Sequence, residues 1–147
     1  MSTNDHHQPL SPLQWLSFLL FLLPGLPLTS RADLGTAARY PPPYLPTACY
    51  RNDPTPFPTS NLFAAAGDGI WDNGAACGRQ YLVRCISAAT PGTCKPDQTI
   101  QIRILDYGLV TTSPPSVSGT TIVMSETAFG SIANSTASSI NIEFQQV

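Results

Sequence analysis

The sequence has 147 residues, a formal net charge of −2 and two histidines, His6 and His7. This charge excludes the strongly basic surface that nucleic-acid binding needs, and no basic patch with interleaved aromatic residues is present. It also offers little attraction to anionic membranes or pectin-like polyanions. No motif for a cofactor is visible, because the glycines around Asp68 lack the lysine and the strand–helix context of a phosphate-binding loop. We therefore expect no cofactor and no nucleic-acid partner.

Residues 1–32 are predicted to be a signal peptide. The apolar run from Trp15 to Leu23 is too short to span a bilayer but suits the centre of a signal sequence. A signal anchor is the alternative, because no lysine or arginine precedes the run. Cleavage after Ala32 would remove both histidines and leave residues 33–147 as one small secreted domain, not inserted in the membrane.

Four cysteines remain in that domain, at positions 49, 77, 85 and 94. An even number in a short secreted chain predicts two disulfides. A zinc site is the alternative, but it needs close-paired ligands and usually histidine, so we expect no metal. The spacing leaves three pairings open. Bonds between neighbouring cysteines would each stabilise the fold by roughly 3 kcal/mol.

The first half of the domain is predicted to contain short strands separated by proline-rich connections. Thr36–Tyr40 is a candidate strand, and the prolines that follow it enforce an extended loop up to Cys49. Leu62–Ala66 is either a strand or a helical turn. Tyr81–Ile86 is predicted to be a strand with residues 81, 83 and 85 on one face.

Asp106 ends the most regular predicted strand, Thr99–Asp106, in which isoleucines at alternate positions face one way. Because Asp106 shares their parity, a regular strand would turn its carboxylate toward the apolar side. Such a carboxylate has a raised pKa and can serve as a general acid. The alternative is that the strand ends at Leu105 and Asp106 opens a turn, where it caps backbone amides.

The remaining elements complete a mainly β fold. Thr120–Met124 is a β-branched run, and Ser125–Ala133 is predicted to be one short helix with Ser125 as its N-cap. Alternation around Ile140–Phe144 predicts a last strand. About six short strands with one short helix describe a small closed barrel better than an open sandwich.

Few side chains of the domain suit catalysis. Asp72 lies in a Trp-Asp-Asn-Gly segment, a strong turn signal, and is predicted to organise that turn. Nothing in the spacing places Asp106 beside Asp72, as the paired carboxylates of a glycosidase would require. A Ser–His or Cys–His nucleophile needs an imidazole, and residues 33–147 contain none.

Aromatic residues and one sequon remain as candidate binding and modification sites. An aromatic surface for sugar rings could be formed by Trp71, Tyr40, Tyr44, Tyr81 and Tyr107, although each alone is typical of a barrel wall. Asn134-Ser135-Thr136 is an acceptor sequon for N-glycosylation.

Four parts of the sequence carry a recognisable pattern: Gly67 to Arg79, Tyr81 to Cys85, Cys94, and Ile102 to Asp106. Together they resemble the expansin-like EG45 domain, a group that includes plant natriuretic peptides and blight-associated proteins. The resemblance covers residues 33–147 and implies a six-stranded double-psi β-barrel. It also implies the disulfide pairing Cys49–Cys77 and Cys85–Cys94.

The sequence differs from expansins at positions that the resemblance places in the expansin cleft. The resemblance implies that Val123 replaces the second cleft acid and that Ala38 replaces a threonine two residues before the cleft tyrosine, Tyr40. Gly108 stands where many relatives have another cysteine. Asp106 is left as a single carboxylate, which is poor support for glycoside cleavage. We therefore expect no catalytic residue, and a candidate binding cleft made by residues Asp106, Tyr40, Trp71, Asp72 and Tyr107.

The resemblance implies a secreted, non-enzymatic protein similar to plant natriuretic peptides. Such a protein would act in the apoplast through a cell-surface receptor, in water and ion balance or stress response. The alternative is a cell-wall protein that uses the barrel cleft to bind or loosen polysaccharide. Nothing in the sequence indicates a dimer interface, so we expect a monomer.

Overall fold

The computed structural model describes residues 31–109 and 119–147. The predicted signal peptide, residues 1–32, lies outside these ranges except for its last two residues. Within the described ranges, no helix is long and apolar enough to cross a membrane.

A closed β-barrel dominates the described part of the chain. Its six strands are β1 (Asp33–Tyr40), β2 (Phe63–Ala66), β3 (Gln80–Ser87), β4 (Thr99–Tyr107), β5 (Ile122–Ser125) and β6 (Ile140–Gln146). The order around the barrel is β1-β5-β2-β4-β3-β6. The pairs β1–β5 and β2–β4 are parallel and the other four are antiparallel. This confirms the predicted six-stranded barrel, which leaves no open sheet edge.

Two short helices occur in the described ranges, where the sequence predicted one. Helix α2 (Glu126–Ile132) is the predicted helix, and the hydroxyl of Ser125 accepts a hydrogen bond from the N–H of Ala128, as an N-cap should. Helix α1 (Asp68–Trp71) was missed because glycine disfavours helices. It continues directly into a 3₁₀ turn at Asp72–Gly74.

The barrel interior holds the main apolar core. Residues 81, 83 and 85 of β3 and the isoleucines at 102 and 104 of β4 are buried there, which confirms the predicted alternation. Phe129 and Ile132 of α2 are also fully buried in this core. A side chain buried to this degree contributes about 2 kcal/mol through the hydrophobic effect.

A second apolar cluster lies on the opposite face of the sheet. Phe63 and Ala65 of β2 belong to it, whereas Ala64 and Ala66 point into the barrel, because neighbouring strand residues face opposite ways. The segment 41–62, called here the covering segment, packs Tyr44, Tyr50 and Phe57 against this cluster. The members of the cluster are Tyr40, Phe63, Ala65, Leu105 and Val123.

Two disulfides join the four cysteines as the resemblance implied. Cys49–Cys77 has a Cα–Cα distance of 5.5 Å and ties the covering segment to the residues that follow the 3₁₀ turn. Cys85–Cys94 has a Cα–Cα distance of 5.3 Å and closes the connection from β3 to β4. Disulfides of this kind are typical of proteins that fold in an oxidising compartment.

A β-bulge changes the direction of the side chains near the end of β4. Ile104 lies opposite Ala64, but Asp106 rather than Leu105 lies opposite Ala65. Leu105 is therefore an extra residue, and the inward alternation of the isoleucines stops there. The prediction that Asp106 faces the same side as the isoleucines is wrong for this reason. The alternative, that the strand ends at Leu105, is also wrong, because β4 continues to Tyr107.

Candidate functional site

Asp106 is a buried carboxylate that caps two backbone amides. Its side chain accepts hydrogen bonds of 2.8 Å from the N–H groups of Ala48 and Tyr107, and the residue is 4% exposed. Burial raises the pKa of Asp106 above its ordinary value, and the two hydrogen bonds offset part of this rise. The capping role that the sequence suggested as an alternative is therefore observed, although within a strand rather than a turn.

Tyr40 lies near this carboxylate with an unsatisfied hydroxyl. The phenol oxygen is buried and has no hydrogen-bond partner among the residues that the structure describes. Burial, and then the charge of Asp106, raise the pKa of Tyr40 above its ordinary value. The ring of Tyr44 stands edge-on to that of Tyr40, with centroids 5.0 Å apart. A neutral, enclosed phenol of this kind cannot act as an acid or base near neutral pH.

The residues beside Asp106 across the sheet carry no second acid. Val123 pairs with both Ala38 and Ala65, and Ala65 pairs with Asp106, so these four positions form one row across β1, β5, β2 and β4. Val123 is 1% exposed and Ala38 and Ala65 are fully buried. The two-carboxylate chemistry of glycoside hydrolysis therefore lacks its partner here.

The covering segment closes over this row. The centroid of the Phe63 ring lies 4.7 Å from that of Tyr44 and 4.8 Å from that of Phe57, and both pairs are edge-on. The guanidinium of Arg103 donates a 2.9 Å hydrogen bond to the carbonyl of Pro56. With the Cys49–Cys77 disulfide and the hydrogen bond from Ala48 to Asp106, these interactions hold the covering segment over this row.

An open cavity of about 510 Å³ lies elsewhere, between α1 and the ends of β1, β3 and β6. We call it the α1 cavity. Its volume is within the range of small-molecule sites. Asp33, Asp68, Gly69, Ile70, Trp71, Asp72, Asn73, Arg79, Tyr81, Phe144 and Gln146 line it.

Trp71 is the main aromatic residue at the rim of the α1 cavity, and Tyr107 holds it in place. The two rings are stacked, with centroids 4.4 Å apart and planes 11° apart. The hydroxyl of Tyr107 donates a 2.6 Å hydrogen bond to Asp68, which raises the pKa of Tyr107. The stacking with Tyr107, which is itself held by Asp68, therefore fixes the orientation of the indole.

Asp72 and Asn73 line the same cavity, and both have an unfavourable backbone conformation. Both have left-handed backbone angles, with φ of 54° and 50°. Aspartate and asparagine tolerate this region better than other non-glycine residues. The carbonyl of Asp72 accepts a bond from Ala75 N–H, and its carboxylate pairs with Arg79 at 2.7 Å.

The structure divides the five predicted cleft residues between two places. Asp106 and Tyr40 lie under the covering segment, while Trp71 and Asp72 line the α1 cavity with Tyr107 behind Trp71. Sequence reasoning missed Asp33 and Gln146, which the closure of the barrel brings to the cavity from opposite ends of the domain. Arg79 belongs to the recognised Gly67–Arg79 segment, so it could have been singled out.

The predicted glycosylation site lies on the surface. Asn134 is exposed and follows α2. Among the residues that the structure describes, no group of three or more His, Cys, Asp or Glu side chains is arranged to hold a metal ion.

The sequence matches known proteins over most of its length. The family model described as lytic transglycolase matches residues 64–144. An EG45-like domain containing protein of Citrus jambhiri is 39% identical over 119 residues. The match covers 78% of this chain and 82% of the Citrus protein. The chain belongs to the EG45-like domain family. EG45-like domain containing protein 2 of Arabidopsis thaliana is similar too, at 32% identity, covering 80% of this chain and 83% of its own.

Solved expansin structures share the barrel fold of this EG45-like protein. The apo expansin of Clavibacter michiganensis has a TM-score of 0.55 and 18% identity over 80% of this chain. An aspartate-to-asparagine mutant of that expansin, solved with cellohexaose, has a TM-score of 0.59 and 18% identity over 80% of this chain. The present chain spans 50% of the length of either expansin chain, and identity at this level shows the fold alone.

Proposed function

We propose that this EG45-like protein is a non-catalytic extracellular protein that acts by binding a partner. The observation that carries the proposal is the state of Asp106. This carboxylate is 4% exposed, caps two amides and has Val123 and Ala38 where an expansin-like cleft would need polar groups. A lone buried acid of this kind supports the fold rather than bond cleavage.

The extracellular location is supported by the cysteine chemistry. Both disulfides, Cys49–Cys77 and Cys85–Cys94, would be reduced in most cytosolic environments. The apolar run from Trp15 to Leu23 has the length of a signal-peptide core, which also favours secretion.

The biological role that we propose is a mobile signal in water and ion balance or stress response, received at the cell surface. The resemblance of Gly67–Arg79 to plant natriuretic peptides supports this role. The test is swelling of plant protoplasts on addition of the purified protein. Asp106→Asn keeps the shape of the side chain and should retain wild-type swelling, because its charge plays no part in binding. Loss of swelling in a folded Asp106→Asn protein would contradict the proposal.

A second candidate function is binding of a cell-wall glucan, and the α1 cavity favours it. Trp71 offers an indole of fixed orientation beside carboxylate, amide and guanidinium groups, a combination that suits sugar rings. An expansin with the same fold was solved with cellohexaose. Asp106 and Tyr40, which we expected to contact the glycan, are buried, so any glycan contact would fall to Trp71 and Asp72.

Calorimetric titration with cellohexaose tests this second candidate. Trp71→Ala should abolish the binding heat, whereas Tyr44→Ala, which alters an aromatic residue on the other face, should leave it unchanged. Absence of heat with the wild-type protein, or equal heat with Trp71→Ala, would rule out the α1 cavity as the glucan site.

A further inference from the structure

The sequon Asn134-Ser135-Thr136 is presented on the surface just after α2. All three residues are exposed. The side-chain oxygen of Asn134 accepts hydrogen bonds from the N–H of Thr136 at 3.0 Å and from its hydroxyl at 2.9 Å. These contacts use Oδ1, whereas an N-linked glycan is attached through Nδ2. The backbone N–H of Asn134 donates to the carbonyl of Thr93 at 2.8 Å, which fixes the site against the β3–β4 connection.

A second cavity of about 320 Å³ opens directly beside this sequon. A Cβ built on Gly130 or on Gly92 would meet no atom within 4 Å, so the space beside both lining glycines is open. Lys95 Nζ donates to the carbonyl of Gly130 and supplies a polar edge. Gly92, Thr93, Lys95, Gly130, Ala133, Asn134 and Ser135 line the cavity. A concave, polar surface that starts at the attachment residue can accept a sugar ring.

We propose that Asn134 carries an N-linked glycan whose first N-acetylglucosamine lies in this cavity. The donor is a lipid-diphosphate-linked oligosaccharide of the secretory pathway. The Asn134 Nδ2–C1 bond forms as the bond from C1 to the diphosphate oxygen breaks. The lipid diphosphate leaves, and the amide proton passes to the transferase base. The sequon is the only Asn-X-Ser/Thr in the 147 residues, so the modification has a single site.

The proposal rests on the extracellular part of the proposed function, because the donor is met only along the secretory pathway. It does not depend on the partner or on the role of the α1 cavity. Thr136 supplies the hydroxyl that the sequon requires, and Ser135 occupies the position where any residue except proline is accepted. The chain therefore offers a matched pair of variants one residue apart.

The first experiment is expression of the full chain in plant suspension cells, followed by intact-mass measurement of the medium and cells. We expect secreted protein with an added glycan mass that peptide N-glycosidase removes. Asn134→Gln and Thr136→Ala should lack this mass, and Ser135→Ala should retain it. Secreted protein without added mass would contradict the proposal that Asn134 is glycosylated, but would agree with the extracellular location. Retention of unmodified protein in the cytosol would overturn both.

A second experiment tests where the first sugar lies. Glycoprotein made with a high-mannose glycan is trimmed with endoglycosidase H to a single N-acetylglucosamine, and amide hydrogen exchange is compared with that of Asn134→Gln. Seating in the cavity predicts slower exchange at Thr93, Lys95 and Ser135, with no change at residues of the α1 cavity. Equal exchange rates in the two proteins would overturn the seating of the sugar.

Discussion

The carboxylate of Asp106 accepts a 2.8 Å hydrogen bond from the backbone N–H of Ala48, which lies 58 residues earlier in the chain. Cys49, the next residue, is bonded to Cys77, so a side chain of β4 and a disulfide hold adjacent points of the covering segment. Asp106 thus holds in place the segment that encloses it.

Removal of this carboxylate should destabilise the fold rather than remove an activity. Asp106→Ala leaves the amides of Ala48 and Tyr107 without an acceptor, and an unsatisfied buried amide costs about 2 kcal/mol. Because two amides lose their acceptor, we expect the free energy of unfolding in urea to fall by about 4 kcal/mol. Asp33→Ala, which removes an exposed carboxylate, should change the free energy of unfolding little. An unchanged urea midpoint for Asp106→Ala would contradict the capping role.

The contribution of Asp106 to stability should depend on pH in the direction opposite to that of most acids. Burial raises its pKa above 3.8, so the folded state holds the proton more tightly than the unfolded state. The stabilisation from protonation is complete below pH 3.8 and is lost as pH rises through the folded pKa. We expect the difference in free energy of unfolding between wild type and Asp106→Asn to favour wild type most at acid pH.

Asp53 provides the matched comparison for that experiment. Hydrogen bonds from the N–H and hydroxyl of Thr55 lower the pKa of Asp53. Its contribution to the free energy of unfolding is therefore present above pH 3.8 and is lost as pH falls through the folded pKa. The same comparison with Asp53→Asn should therefore show the reverse slope. Parallel slopes for the two variants would contradict the raised pKa of Asp106.

The unsatisfied hydroxyl of Tyr40 predicts a stabilising substitution. Tyr40→Phe removes a buried polar group that has no hydrogen-bond partner within residues 31–109 and 119–147, and should raise the free energy of unfolding by about 1 kcal/mol. Tyr44→Phe should lower it, because the Tyr44 hydroxyl donates to the carbonyl of Tyr40 and accepts from the N–H of Glu126. Thermal unfolding of both variants tests the pair. A destabilised Tyr40→Phe protein would mean that this hydroxyl has a partner.

The two disulfides should differ in their effect on stability. Cys49–Cys77 spans 28 residues and Cys85–Cys94 spans 9. On the chain-entropy estimate, the longer loop stabilises the fold by about 1 kcal/mol more than the shorter one. Urea unfolding of the two double Cys→Ala variants should show this order. The reverse order would mean that strain or residual structure outweighs loop entropy.

The strands that could be predicted from the sequence are those with one face toward the core and the other toward solvent. In β4, isoleucines at 100, 102 and 104 alternate with polar residues, and this pattern is set locally. The N-cap at Ser125 was equally readable, because it depends on a residue three positions away.

The features that the sequence did not predict correctly depend mainly on contacts between residues distant in the chain. The bulge at Leu105 is visible only in the pairing of β4 with β2, so parity alone gave the wrong face for Asp106. The α1 cavity collects Asp33 and Gln146 from opposite ends of the domain, which only the closed barrel brings together. Helix α1 forms in a glycine-containing segment that local propensity disfavours.

The most direct test of the central claim is a search for cleavage products. Purified secreted protein is incubated with cellohexaose, cellulose and xylan, and the supernatant is analysed by mass spectrometry beside an Asp106→Asn control. We predict no released or shortened sugars from either protein, because Asp106 is enclosed and the described residues paired across the sheet from it include no second acid. Products formed by the wild type and absent with Asp106→Asn would contradict the non-catalytic account.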